Sequence, residues 1–176
     1  IIDEYQYVTA LGKPSKENIV ATQFKSREQF AGGVLAAANH VASFCKSVEI
    51  VTVLGGDDYP GEFIEAHLRP NVRLTPIRAD GRPTTRKLRY VELGYLQKLF
   101  EVYTINDTPF GEAERAEIDR VTRERVRGAD VVIATDCGHG VIEPSTIAPL
   151  TSTSKFLDDN AQSTGGNDRS TRVTRA

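Results

Sequence analysis

Three short apolar runs limit the folds open to this chain. Val48-Glu49-Ile50-Val51-Thr52-Val53-Leu54, Val72 to Ile77 and Ala129-Asp130-Val131-Val132-Ile133-Ala134 are rich in β-branched residues. Such side chains are stiff at χ1 and fit a pleated surface, and a run that is apolar on both sides suits a strand covered on both faces. Segments with helical spacing lie between them: a short helix from about Glu62 to Leu68 and a charged helix over Glu112 to Arg127, which Gly128 stops. The pattern predicts an α/β fold, with a largely parallel sheet and helices on its faces.

Other segments do not fit that sheet. Glu4 to Val8 and Ile19 to Phe24 alternate, as does Thr84 to Val91, and Leu96 to Tyr103 is extended. They predict a separate small β layer, a lid, with strands near 4–25 and 84–103. Leu11 to Ser15 carries turn chemistry. Ile1 and Ile2 read as the last residues of a strand, with Asp3 at its carboxyl end, where ligands gather in open α/β sheets. In the charged helix, Ala116, Ile118, Val121 and Val126 are the inward positions. Glu143 to Leu150 predicts a further helix, and Lys155-Phe156-Leu157 starts a strand leading into Asn160 and Gln162. From Ala161 to Ala176 the chain is polar, and predicts a weakly structured tail or a truncated continuation after a domain over residues 1–160. The chain has no methionine and opens on Ile1-Ile2-Asp3, which predicts a cut N-terminus.

With 22 Lys and Arg against 24 Asp and Glu, the net charge is −2, and nothing electrostatic favours a nucleic-acid or membrane partner. No apolar segment approaches a membrane span, and no signal peptide is visible. Cys45 and Cys137 predict a reduced, cytoplasmic protein, Cys45 as core filler. His40, His67 and His139 lack cysteine or carboxylate partners at ligand spacing and read as surface or capping residues, so no metal site is expected.

Gly32-Gly33 ends an extended segment and opens a small-residue helix in which Leu35, Ala38, Ala42 and Cys45 recur at helical spacing. A glycine pair lets a ligand approach the backbone, and the helix start offers free N–H groups, which suits a phosphate or a hydroxyl-rich sugar; a plain turn is the alternative. Asp3 offers several acceptor sites to sugar hydroxyls. Lys87 and Arg89 share one side of a lid strand, where they either hold a phosphate or simply face solvent. Asp136, Gly138 and Gly140 follow an apolar strand, in a loop that admits a ligand or merely makes a tight turn.

Together, Asp3, Gly32-Gly33 with its Ala-rich helix and Asn39, the Gly55-Gly56-Asp57-Asp58-Tyr59-Pro60-Gly61 loop, the Pro83-to-Arg89 strand and the Ala129-to-Ile142 strand and loop resemble the ribokinase-like, PfkB-type carbohydrate kinases. Within that family the look is nearest to kinases acting on a heptose 7-phosphate. The resemblance implies an incomplete ribokinase-like domain, with Asp3, Gly32, Gly33, Asn39, Lys87 and Arg89 on a sugar or sugar phosphate. It places Asp136, Gly138, Gly140, Asn160 and Gln162 toward the nucleotide side. It also implies ATP and Mg2+ in the complete enzyme and pairing of two copies through the lid. The family's Gly-Ala-Gly-Asp segment, which carries the base and the anion hole, does not occur here, so no catalytic residue is assigned. Asn39 lies further from the glycine pair than the family's asparagine, and Phe100-Glu101-Val102 replaces an expected arginine and aspartate. A non-catalytic sugar-phosphate binder is the alternative, and a Rossmann-like nucleotide protein a weaker one, lacking the glycine fingerprint.

Overall fold

The computed structural model describes residues 1–12, 19–153 and 157–161. Strand β1 (Ile2–Gly12) pairs antiparallel with β2 (Ala21–Ala31) and parallel with β5 (Arg86–Glu92), which pairs antiparallel with β6 (Gln97–Thr104). These strands form one mixed sheet in the order β2-β1-β5-β6. The segments expected to make a lid therefore do form a single layer. Asp3, however, lies at the start of β1, not at the carboxyl end of a strand. Glu4 to Thr9 contains no turn residue, and both neighbours continue to hydrogen-bond the chain past Asp3.

Strands β3 (Val48–Gly55) and β4 (Val72–Ala79) form a parallel pair, as do β7 (Val132–Asp136) and β8 (Leu157–Ala161). The expected parallel sheet thus consists, among the described residues, of two separate parallel ladders. Helices α1 (Val34–Val41), α2 (Gly61–His67), α3 (Glu112–Val126) and α4 (Pro144–Thr153) complete the chain. Alternation along β3 explains the layering. Ile50 and Leu54 pack with Leu35 and Ala38 of α1, Ile64 of α2 and Ile2 of β1. Val51 and Val53 point the other way, toward Ile77 of β4 and Ile118 and Val121 of α3. A strand covered on both faces has no polar side, and apart from the exposed Glu49 and the half-buried Thr52 its run is apolar. Leu35, Ile64 and Ile118 are fully buried, and each such side chain contributes about 1.5–3 kcal/mol by leaving water. At the start of α3 the Gly111 N–H donates to Glu114 Oε2 at 2.8 Å, which satisfies one free donor of the first turn.

Two expectations for the helices are corrected. Cys45 is exposed, because α1 ends at Val41 and its buried face stops at Ala42. In α3, Ala116 faces solvent and Thr122 is buried in its place. Leu11 and Gly12 belong to β1; Lys13 to Ser15, Gln162 and the rest of the polar tail lie outside the described residues.

The mixed sheet hides one carboxylate. Glu4 is 3 % exposed and accepts from Gln6 Nε2 at 3.0 Å, Gln29 Nε2 at 2.7 Å and Arg86 Nη1 at 3.2 Å. Burial pushes its pKa up, but the Gln6 and Gln29 hydrogen bonds and the Arg86 charge outweigh this and hold it below the ordinary 4.5. A depressed folded pKa stabilises fully above the unfolded value, and that contribution is lost as pH falls through the folded value. Glu4→Gln should therefore cost about 1–3 kcal/mol near neutrality, and the gap to the wild type should close in acid, below about pH 4. Urea unfolding at both ends of that range checks this. An equal gap at each pH would contradict it.

Candidate functional site

The register of the mixed sheet decides which side chains meet. Asp3 stands opposite Lys87, and Lys87 opposite Tyr103; Tyr5 stands opposite Arg89, and Arg89 opposite Glu101. Directly paired residues share a face, so one side of the sheet gathers Asp3, Tyr5, Lys87, Arg89, Glu101 and Tyr103. Arg89 Nη1 donates to Asp3 Oδ1 at 2.5 Å and its Nε to Glu101 Oε1 at 2.9 Å, with the guanidinium 5.2 Å from the centre of the Tyr5 ring. Burial opposes the charge on Arg89, but the hydrogen bond and charge of Asp3 more than offset it and raise the pKa. Tyr103 donates its hydroxyl to Glu101, and this bond, with Arg89 behind it, holds the Glu101 carboxyl below the usual glutamate range. Arg89 is thus neutralised by two carboxylates. Lys87 differs: it has no ion pair among the described residues and lies 5.2 Å from the centre of the Tyr103 ring.

The glycine pair lies against the same carboxylate. Gly32 N–H donates to the Ile1 carbonyl at 3.0 Å, and a Cβ added at Gly32 would overlap Asp3 Oδ2. Gly32 is therefore required for the approach of the Asp3 carboxylate to the turn that starts α1. Asp3 is fixed from two sides, by Arg89 and by the space above Gly32. Gly33 occupies the position before α1, with φ 57°.

The Gly55-Gly56-Asp57-Asp58 loop fixes the start of β5. Gly55 N–H donates to Thr84 Oγ1 at 2.9 Å, and Thr84 N–H donates to Asp58 Oδ1 at 2.8 Å. Beside this clasp is a cavity of about 50 Å3, bordered by Gly55, Pro83 and Phe110, which is too small for a sugar. Arg82, just before the clasp, donates to the carbonyls of Thr108 and Pro109 at 2.8 Å each and stacks on Phe110. Arg115, also within 5.3 Å of the centre of the Phe110 ring, donates to the carbonyls of Gly140 and Val141 at 2.5 and 2.9 Å, and pairs with Glu143. The loop after β7 is tied to α3 in this way. Within it, Asp136 Oδ1 accepts from Gly138 N–H at 2.8 Å, a turn closed by its own aspartate.

Asp3, Gly32, Lys87 and Arg89 are brought together, and the loop holding Asp136, Gly138 and Gly140 lies within electrostatic reach of Lys87 through Cys137 and His139. Asn39 is engaged elsewhere: it donates to the His67 carbonyl at 2.7 Å and accepts from Arg69 N–H at 2.9 Å, so both ends of its amide hold the exit of α2. Of Asn160 only the backbone is described, in β8 opposite Thr135, and Gln162 is outside the described residues. Tyr5, Glu101 and Tyr103 are members of the cluster that sequence reasoning missed. Period-2 alternation singled out Lys87 and Arg89, but their partners depend on cross-strand register. Among the described residues no three His, Cys, Asp or Glu side chains gather to hold a metal ion. No helix described is long and apolar enough to cross a membrane.

No protein-family model matches the chain. It is 27% identical over 162 residues to the bifunctional protein HldE of Rhodopseudomonas palustris strain TIE-1, an alignment covering 89% of this chain and 32% of that protein. The HldE protein of Trichlorobacter lovleyi is 28% identical over 123 residues, 69% of this chain and 25% of its own length. The chain thus spans about a third of the length of the curated relatives it matches. Among solved structures, phosphofructokinase-2 of Escherichia coli in complex with fructose-6-phosphate superposes with a TM-score of 0.58 at 14% identity, over 90% of this chain and 51% of that one. Ribokinase of Giardia lamblia gives 0.52 at 16% identity, over 95% and 50%. The fold is that of the ribokinase-like kinases, matched over half their length, and the sequence resembles the PfkB-type carbohydrate kinases.

Proposed function

We propose that this chain is the sugar-binding part of an ATP-dependent sugar-phosphate kinase, with a heptose 7-phosphate as the favoured substrate. The observation that carries the reading is the Asp3 carboxylate, held by Arg89 above Gly32, with Lys87, which has no ion pair among the described residues, on the neighbouring strand position. A carboxylate fixed in this way accepts hydrogen bonds from adjacent sugar hydroxyls without having to be ordered by the ligand. Lys87 is the cation for the phosphate of the substrate. Arg89 positions Asp3, since its own charge is already matched by Asp3 and Glu101. Similarity to HldE proteins and to a fructose-6-phosphate complex supports the sugar-phosphate class.

In the complete enzyme the phosphoryl group would pass to a sugar hydroxyl, a reaction that rests on positioning and charge stabilisation. ATP with Mg2+ supplies the phosphoryl group there. Among the described residues no three His, Cys, Asp or Glu side chains gather to hold a metal ion, and in this reading Asp3, Gly32 and Lys87 bind and orient the sugar. The domain in this reading covers residues 1–160, with the lid near 4–25 and 84–103. The lid is also the surface through which two copies would pair. Its edge strand β6 is exposed along its length, with Phe100 and Val102 open to solvent.

The phosphate role is tested by calorimetry without nucleotide, using fructose 6-phosphate and fructose. Lys87→Ala should weaken fructose 6-phosphate about tenfold or more, as expected on losing a charge-assisted hydrogen bond, and leave fructose nearly unchanged. Equal losses for both sugars would contradict the assignment.

A further inference from the structure

His139 is the polar side chain that the proposed site leaves unexplained. Both ring nitrogens are buried, and neither has a hydrogen-bond partner among the described residues. A neutral imidazole carries one donor and one acceptor, and leaving both unmet in a dry place is unfavourable. The charged groups in electrostatic reach come from four parts of the chain. They are Lys87 on β5, Asp107 between β6 and α3, Asp136 in the same loop and the amine of Ile1 ahead of β1. Burial first, and Lys87 next, hold the imidazole below its usual pKa of 6.5.

His139 stands between two glycines. Gly138 and Gly140 have φ of 73° and 74°, a region that other residues rarely adopt. Outside the two glycines the loop is anchored, by Asp136 on Gly138 N–H and by Arg115 on the Gly140 and Val141 carbonyls. The one side chain between the anchors is His139, and Lys87 on the lid is within electrostatic reach of it.

We propose that His139 is a further ligand-binding residue of the Lys87 site, which turns about its two flanking glycines to a phosphate oxygen of the sugar phosphate and takes up a proton from solvent as it does so. The inference rests on the sugar-phosphate reading above. A bound phosphate offsets the Lys87 charge and gives the ring nitrogen an acceptor, and both changes favour the imidazolium over the imidazole. Anion binding and proton binding are then linked, each strengthening the other.

The test is an NMR titration of the histidine Cε1–H resonances with and without fructose 6-phosphate, combined with calorimetry of His139→Ala and His139→Gln. His40 and His67, at the ends of α1 and α2, serve as internal controls. The expected result is that the His139 resonance alone moves and titrates at a pH higher by about one unit or more. His139→Ala should bind about tenfold more weakly. His139→Gln should recover part of that affinity but lose the extra gain that the wild type shows as pH falls from about 8 to about 6. If fructose 6-phosphate binds, with the Lys87 dependence described, while His139 is silent and both variants match the wild type, this inference falls and the sugar-phosphate reading stands. If fructose 6-phosphate does not bind the wild-type chain at all, both fall together.

Discussion

Gly55→Ala is expected to destabilise the fold by about 3–5 kcal/mol. The new Cβ would overlap Thr84 N and Asp58 Oδ1 and stand 2.5 Å from the Arg82 carbonyl. Two of those three atoms are backbone, so no side-chain rotation relieves the clash. Residues 82–84 would have to move away from β3, and the hydrogen bonds from Gly55 to Thr84 and from Thr84 to Asp58 would break. Thr84 is 4 % exposed, so its freed groups would be left without water. Chemical unfolding should show a lower midpoint with little change in slope. Thr84→Ala, which removes one bond and inserts nothing, should cost only about 1–2 kcal/mol. If Gly55→Ala came within about 0.5 kcal/mol of the wild type, the clasp would not be the constraint described. Because the clasp lies directly before β5, the same variant should also weaken any ligand that depends on Lys87.

Asp3→Ala is the second large effect, and it falls on binding. Loss of a fixed carboxylate removes two charge-assisted hydrogen bonds to sugar hydroxyls, or about 3–5 kcal/mol, a weakening of roughly 100-fold or more. Arg89 would keep Glu101, and Gly32 would gain space, so the sheet should fold. Gly32→Ala reaches the same carboxylate from the other side, since its Cβ must push Asp3 Oδ2 away. Both variants should lose sugar phosphate and retain a cooperative unfolding transition. Loss of the transition in both would make Asp3 a folding residue first.

The layering was legible in the sequence because burial on both faces leaves a plain mark. Val48 to Leu54 carries apolar residues on both sides, and Ile50 and Leu54 pack one way while Val51 and Val53 pack the other. The lid sheet was legible as strands but not as a register. Lys87 and Arg89 can be placed on one face from alternation alone, whereas Glu101 meets Arg89 only because β6 pairs with β5 at that offset. Phe100-Glu101-Val102 first appeared as the loss of a ligand contact, and its glutamate instead completes the pairing of Arg89. Asp3 was placed at a strand end because Ile1 and Ile2 are apolar, but β1 runs on to Gly12. Cys45 followed the helical spacing of Leu35 and Ala38, but α1 ended before reaching it. The Asn39 amide, expected at the ligand, is engaged by the backbone at the end of α2, and the His139 ring, read as a surface or capping group, has both nitrogens buried within electrostatic reach of Lys87. Neither outcome leaves a local mark, since both depend on segments distant in the chain.

The most direct test of the account is a nucleotide-free calorimetric titration of the wild-type chain and Asp3→Ala with a heptose 7-phosphate and with fructose 6-phosphate. The account predicts saturable binding of sugar phosphate by the wild type, in the range of about 1 μM to 1 mM, and its loss in Asp3→Ala. A wild-type chain that binds neither sugar phosphate, or an Asp3→Ala chain that binds them as well as the wild type, would contradict it.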